Sequence, residues 1–358
     1  AAKGVDEILL ATDEDREGES ISWHVLKILN PAKKVPVRRI VFHEITPEAI
    51  QAALRNPRDL DENLVRAQET RRVLDRLYGY TLSPLLWRKV APKLSAGRVQ
   101  SVAVRLCVMR ERERAKFQAS IYWDLEAELG TDQGKLTAKL IRVDGNRLAT
   151  GKSFSLEGEH QDKSLWLKEA DARDLLGRTE KAKPWKVSAI ETKQVSESAP
   201  PPFMTSTLQQ EAARKLRFTS RRTMQIAQTL YEGVDLGGER VGLITYMRTD
   251  SLSLADRALD ETRAEIQKLY GSEYLPSKPI RYKTKSKGAQ EAHEAIRPVD
   301  MSRHPNDVRR YLTDEQYHLY ELIWKRTVAC QMVPARIRRT QVEITVNNGM
   351  ETLDFSAS

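Results

Sequence analysis

Cysteine is nearly absent from this chain: Cys107 and Cys330 are the only two in 358 residues, and they lie far apart. No Cys-x-x-Cys pair occurs, which excludes a zinc ribbon and a disulfide framework and suits a reducing cytoplasm. The Gly-x-x-x-x-Gly-Lys-Ser/Thr loop is also missing, so nothing supports ATP hydrolysis by a P-loop. No apolar run approaches a membrane span, no signal-peptide pattern opens the chain, and no internal repeat is evident. The sequence thus predicts no membrane partner. What is present is positive charge: 59 Lys and Arg against 50 Asp and Glu, a formal +9, with 40% hydrophobic residues. That length and apolar content suit two or three cores, and the charge suits an acidic polymer or simple solubility.

The chain opens as β-α-β. An apolar run at 8–11 reads as a strand, Ile21, Val25, Ile28 and Leu29 recur at helical spacing, and 37–42 reads as a second, parallel strand. Thr46-Pro47 then reads as N-cap and first position of a helix through Leu54. Two parallel strands are few for a covered sheet, so the chain is expected to begin partway through a domain. From 61 to 117 the pattern is helical, with Leu64, Ala67, Leu74 and Leu77 on one face and Val99, Val102, Leu106 and Met109 on another. Residues 122–195 alternate as strands, with a turn at Asp144-Gly145; 196–203, rich in proline, reads as a hinge. Helices resume at 205–216 and 220–231, 243–246 reads as a strand, and 283–290 as a flexible basic loop. The end reads as a hairpin around an Asn-Gly turn.

Several stretches carry chemistry. ATDEDREGE (11–19) sits at the end of the first strand, where ligands bind on open parallel sheets. Asp13, Asp15 and Glu17 alternate, so an extended backbone puts them on one side; they suit Mg²⁺ beside phosphate, or a solvated acidic loop that caps a helix. In ETRRVLDRLYGY (69–80), Asp75 stands four residues after Arg71 and three after Arg72, placed to orient either guanidinium or to form a solvated ion-pair face. In LSAGRVQS (94–101), Ser95, Gly97 and Arg98 open a helix whose free N–H groups favour phosphate, or Ser95 is an ordinary N-cap. His293 precedes Arg297 by four residues; with no Cys or second His at ligand spacing it is no zinc site. GLITYMRTDS (242–251) puts Tyr246 at a predicted strand end with Arg248 two residues on, and Ser253 with Asp256 reads as a capping box. A phenol is a poor nucleophile near neutrality, and a guanidinium beside it favours the phenolate and can hold a phosphate. A buried Tyr with a hydrogen-bonded tip has the same sequence appearance.

TYMRTDS, with DEDREGE, LSAGRVQS, PFMTSTLQQEA and HEAIRP, resembles the type IA DNA topoisomerases, nearest to the bacterial topoisomerase I subfamily. Met247 and Glu294-Ala295-Ile296-Arg297 look like that subfamily rather than topoisomerase III or reverse gyrase. The resemblance covers nearly the whole chain and is weakest at 131–195. It implies a multidomain fold of α/β, α and β parts. Residues 1–58 would be part of a parallel α/β Toprim domain, and 59–117 part of a helical domain that binds single-stranded DNA. Residues 118–199 and 333–358 would be an incomplete β-rich arch, and 200–332 a winged-helix-like domain carrying the nucleophile.

The family's Toprim domain opens with a Glu and a Lys that are not in this chain, and its C-terminal DNA-binding modules are absent, so a central fragment with impaired activity is expected. The implied reaction is ATP-independent breakage and rejoining of one DNA strand through a 5′-phosphotyrosine, relaxing negative supercoils. Tyr246 would be the nucleophile, Arg248 a transition-state stabiliser and His293 a phosphate contact. Asp13, Asp15 and Glu17 would hold Mg²⁺; Arg71, Arg72, Asp75, Ser95, Gly97, Arg98 and Gln100 would contact DNA. The expected partner is single-stranded DNA within a negatively supercoiled duplex, bound by a monomer in the bacterial cytoplasm, associated with the nucleoid. A non-catalytic DNA-binding fragment, a Toprim nuclease or primase and a topoisomerase III-like decatenase are the alternatives.

Overall fold

The computed structural model describes residues 5–131, 134–282 and 294–358. In chain order its elements begin β1 (Ile8–Leu10), α1 (Arg16–Leu29), β2 (Val37–Arg39), α2 (Pro47–Arg55), α3 (Glu62–Lys89) and α4 (Arg98–Lys116). The middle of the chain supplies β3 (Glu126–Thr131), β4 (Gly134–Val143), β5 (Asn146–Arg147), α5 (Glu169–Thr179) and β6 (Lys186–Glu197). There follow α6 (Thr205–Leu216), α7 (Ser220–Glu232), β7 (Val234–Asp235), β8 (Arg240–Val241), α8 (Asp256–Leu269), α9 (Pro305–Val308), α10 (Asp314–Cys330), β9 (Ala335–Asn347) and β10 (Thr352–Ala357). No described helix is long and apolar enough to cross a membrane.

The chain divides into two compact units, Ala1–Arg76 with Ser198–Ala335, and Leu77–Glu197 with Arg336–Ser358. In the first unit, β1 and β2 pair in parallel, as the β-α-β pattern predicts. Thr46 caps α2 through the Ala49 amide at 3.1 Å, ahead of Pro47. The core gathers Phe203, Leu208, Leu230, Leu243, Ile244, Met247, Ile296 and Ile323 from α6, α7, α10 and the segments before and between them. Helix α7 shows why these residues fold so: Thr219 caps the Arg222 amide, Ile226, Ala227, Leu230 and Tyr231 recur on one face, and Gly233 ends the helix at φ 111°.

In the second unit the strands run β3-β4-β10-β9-β6, with β5 beside β4. Alternate residues Leu353, Phe355 and Ala357 of β10 point into a core with Leu140, Val143, Leu175, Ile344 and Val346. The Asn-Gly turn forms with Gly349 at φ 93°, and Asp144 and Gly145 both take positive φ in the β4–β5 turn. The predicted apolar faces of the two long helices are not covered: Leu74, Leu77, Val99, Val102, Leu106 and Met109 stand exposed.

Candidate active site

The strand expected at 243–246 does not form. The segment makes a single bridge, Ile244 to Pro298, because each backbone donor finds a different neighbour. Leu243 N–H donates to Leu230, Thr245 N–H to Arg297 and Tyr246 N–H to His43, so the segment threads between elements instead of extending a ladder. The predicted capping box is also absent. Helix α8 has Ala255 as its N-cap, and the Glu294 carboxylate accepts the Ala255 N–H in place of a Ser253 side chain.

Tyr246 is buried, 5% exposed, with its ring edge-on to Tyr231 at 5.4 Å between centroids. Its hydroxyl donates to Asp15 Oδ2 at 3.0 Å. Burial first, then the negative charges of Asp15 and Asp13, push the phenol above its ordinary pKa, and Arg248 pulls it only part of the way back. Arg248 thus favours the phenolate, as expected, but burial and the two aspartates outweigh it. Tyr246 is a phenol whose proton points at a carboxylate.

The acidic loop is held by a knot of charge behind it. Glu19 and Arg39 are both fully buried, with Nε and Oε2 3.0 Å apart. Arg39 also donates to the carbonyls of Leu10, Ile40 and Asp13, the last at 2.7 Å. Glu19 accepts further from Arg58 and from the Asp61 amide. Burial raises the Glu19 pKa, but these hydrogen bonds outweigh it and hold the carboxyl below its usual range. Asp15 caps α1 by accepting the Gly18 N–H through Oδ1 at 2.7 Å, leaving Oδ2 for Tyr246. Gly18 is required here, since a Cβ would sit 2.1 Å from the Asp13 carbonyl oxygen.

Asp13, Asp15 and Glu17 do not converge as one metal-binding trio. Among the described residues no group of three potential ligands is assembled. Glu17 instead accepts from Gln68 at 3.1 Å and Arg71 at 3.3 Å on α3. Asp13 and Asp15 remain a fit for a cation. Partial desolvation and then the neighbouring Asp15 raise the Asp13 pKa, with Arg248 and Arg39 compensating in part. Two close carboxylates of hard oxygen are a donor set that Mg²⁺ accepts, with waters and phosphate completing its shell.

Asp15, Arg16, Glu17, Arg71 and Arg248 line a cavity of about 540 Å³, together with Thr205, Ser206 and Gln209 from α6. Thr205 fixes the loop that carries Arg248: its Oγ1 donates to the Met247 carbonyl at 2.7 Å and accepts the Thr249 N–H at 2.9 Å.

A family model described as DNA topoisomerase matches residues 59–358, and a Toprim domain model matches residues 1–45. The chain belongs to the bacterial type IA DNA topoisomerase family. DNA topoisomerase 1 of Synechocystis sp. is 56% identical over 352 residues, which are 97% of this chain and 38% of the relative. DNA topoisomerase 1 of Mycolicibacterium smegmatis is 54% identical over 344 residues, 93% of this chain and 36% of the relative. The full-length topoisomerase I of Thermotoga maritima superposes with a TM-score of 0.76 at 37% identity, covering 99% of this chain and 53% of that one. The chain thus spans little more than a third of the length of these curated relatives.

The remaining residues of this topoisomerase chain divide between its units. Arg72 and Asp75 are exposed on α3 in the first unit. Ser95, Gly97, Arg98 and Gln100 belong to the second. Gly97, not Ser95, is the N-cap of α4; Ser95 is occupied as an acceptor for the Gln100 amide, through its carbonyl at 2.8 Å and its hydroxyl at 3.0 Å. His293 lies outside the described residues. Sequence reasoning missed Thr205, Ser206 and Gln209, which lie within the PFMTSTLQQEA stretch. It also missed Arg39, because an Arg in a strand reads as a surface residue until its buried partners are known.

Proposed function

We propose that this chain carries the strand-breaking and rejoining centre of a topoisomerase that relaxes negatively supercoiled DNA without ATP. One observation carries the reading: the Tyr246 hydroxyl donates to Asp15 at 3.0 Å, at the edge of a cavity lined by Arg248, Arg71 and Arg16. A backbone phosphate of single-stranded DNA in that cavity would be held by the guanidinium groups. The Tyr246 oxygen attacks phosphorus and the bond to the 3′ oxygen breaks. A 5′-phosphotyrosine forms, the phenol proton passes to the Asp15 carboxylate, and the departing 3′ oxygen takes a proton from solvent to become a hydroxyl. Arg248 neutralises charge that grows on the phosphoryl oxygens. Rejoining is the reverse, and the phosphodiester energy stays in the covalent link.

Asp13 and Asp15 would hold Mg²⁺, which when bound supplies positive charge beside the phosphate. Residues 1–58 act as part of a Toprim domain and 59–117 as a single-strand-binding helical segment. Residues 118–199 and 333–358 act as an arch that lets a second strand pass, and 200–332 as a winged-helix-like carrier of the nucleophile. Arg71, Arg72, Asp75, Ser95, Gly97, Arg98 and Gln100 serve as DNA contacts, and Glu17 orients Arg71. The working form is a monomer in the cytoplasm, at the nucleoid.

The test is covalent capture of a 3′-end-labelled single-stranded oligonucleotide by the full-length protein that carries this chain. Tyr246→Phe should abolish labelling while leaving oligonucleotide affinity within about twofold, since only one hydroxyl is lost. Labelling that persists through any other tyrosine would overturn the assignment.

A further inference from the structure

The structure assigns a positioning role to Arg297, a residue given no part in the chemistry above. Its side chain is 7% exposed. It bridges one carboxylate three residues before it and another 253 residues away. Nη2 lies 2.9 Å from Glu44 Oε2, and Nη2 and Nε lie 2.6 and 3.1 Å from Glu294 Oε2. Nη1 donates to the Pro298 carbonyl at 2.9 Å.

The backbone around Arg297 holds the nucleophile segment from one side. Its carbonyl accepts the Thr245 N–H at 2.9 Å, and its own N–H donates to Thr245 Oγ1 at 3.0 Å. On the other side, the His43 carbonyl accepts the Tyr246 N–H at 3.0 Å. Glu44 is the next residue after His43. The Arg297–Glu44 contact therefore closes a ring: 43–44 to Tyr246, Thr245 to Arg297, and Arg297 back to Glu44. The Tyr246 hydroxyl meets Asp15 only while the 43–44 segment and the 295–297 segment grip the chain between them. Arg297 is the clasp of that grip. A bidentate, buried guanidinium suits this work, because a lysine offers one point charge and reaches the two carboxylates less well.

This inference rests on the strand-transfer reading for its functional consequence, but not for its structural one. Two measurements on the full-length protein separate them. The first is amide exchange without DNA. Arg297→Gln should speed exchange of the Thr245 and Tyr246 amides at least tenfold while those in the middle of α10 stay unchanged. The second is the capture assay. At saturating oligonucleotide, Arg297→Gln should capture at least tenfold more slowly, with the half-saturating concentration within twofold of wild type.

Arg297→Lys should fall between the two. Glu44→Gln should act in the same direction, and Arg297→Gln with Glu44→Gln should be no slower than Arg297→Gln alone, since both ends of one contact are lost. Unchanged exchange at 245–246 would overturn the clasp. So would faster exchange throughout the unit, or a loss of rate matched by a loss of DNA affinity. If Arg297→Gln does not fold, Glu44→Gln carries the same two readouts with the Arg297–Glu294 pair intact. If wild type captures no DNA, the strand-transfer reading fails and the exchange result still decides the clasp.

Discussion

Replacing Arg39 by Met is the sharpest single test of how the acidic loop is held. The guanidinium is fully buried and makes four hydrogen bonds, one to Glu19 and three to the carbonyls of Leu10, Ile40 and Asp13. Met keeps much of the volume and none of the donors. Breaking a buried ion pair from one side costs about 3–5 kcal/mol, because the other charge is stranded. Arg58 still faces Glu19 at 2.8 Å and is partly exposed, so the lower end, ~3 kcal/mol, is expected. At about 1.4 kcal/mol per decade that is roughly a hundredfold rise in the unfolded population, and roughly 6–12 °C in Tm for a unit of this size.

The pH dependence follows with a definite sign. Glu19 has a folded pKa below its ordinary 4.5, so its contribution is complete above that value and is lost as pH falls through the folded pKa. Without Arg39 the folded pKa rises, and the acid loss begins at higher pH. Urea melts between pH 3 and 7 measure both effects. Adding Glu19→Gln to Arg39→Met should recover part of the stability, since the stranded carboxylate is gone. An Arg39→Met protein within ~1 kcal/mol of wild type at neutral pH would refute the argument.

Two further outcomes follow from the same geometry. The Asp13 carboxyl has a raised folded pKa, so its ionisation lowers stability as pH rises from 3.8 through that value, and the loss persists at neutrality. Asp13→Asn should therefore melt higher than wild type in EDTA. Mg²⁺ should stabilise wild type, by ~2.7 kcal/mol at a hundredfold excess over Kd, and do little for the variant; equal Mg²⁺ shifts in both would count against a metal role. Gly242→Ala would place a Cβ 2.8 Å from the Tyr231 carbonyl oxygen and 3.4 Å from Ile45, so it should cost about 1–3 kcal/mol in denaturant melts and slow capture; wild-type behaviour in both would show that this close approach is dispensable.

What the sequence displays most clearly is local. The Thr46-Pro47 helix start, the parallel pairing of the first two strands and the Asn-Gly hairpin each depend on a few adjacent residues, and each is found. What it hides depends on distant partners. Residues 243–246 look like a strand because they are apolar, yet their amides are taken by residues 230, 297 and 43. Ser95 looks like a cap, but Gln100 occupies it. Arg39 and Arg297 are both charged residues whose burial is compensated only by carboxylates brought near in the fold, at Glu19 for one and at Glu44 and Glu294 for the other. Of the site, Tyr246, Arg248 and the carboxylates stand out as residue types in a motif. The order of their electrostatics does not, because it is decided by burial rather than by spacing.

The separation of 231 residues between Asp15 and Tyr246 also has a meaning in time. At about 5–20 residues per second on a ribosome, roughly 12–46 s pass between the making of the carboxylate and the making of the tyrosine it will meet. For that interval the acidic loop must keep its shape without its partner. The charged partners behind it are all drawn from residues 19–61, so Glu19, Arg39, Arg58 and the Asp61 amide are able to satisfy one another as soon as that stretch emerges. The knot that supports the loop in the finished protein can thus be complete well before the tyrosine is made.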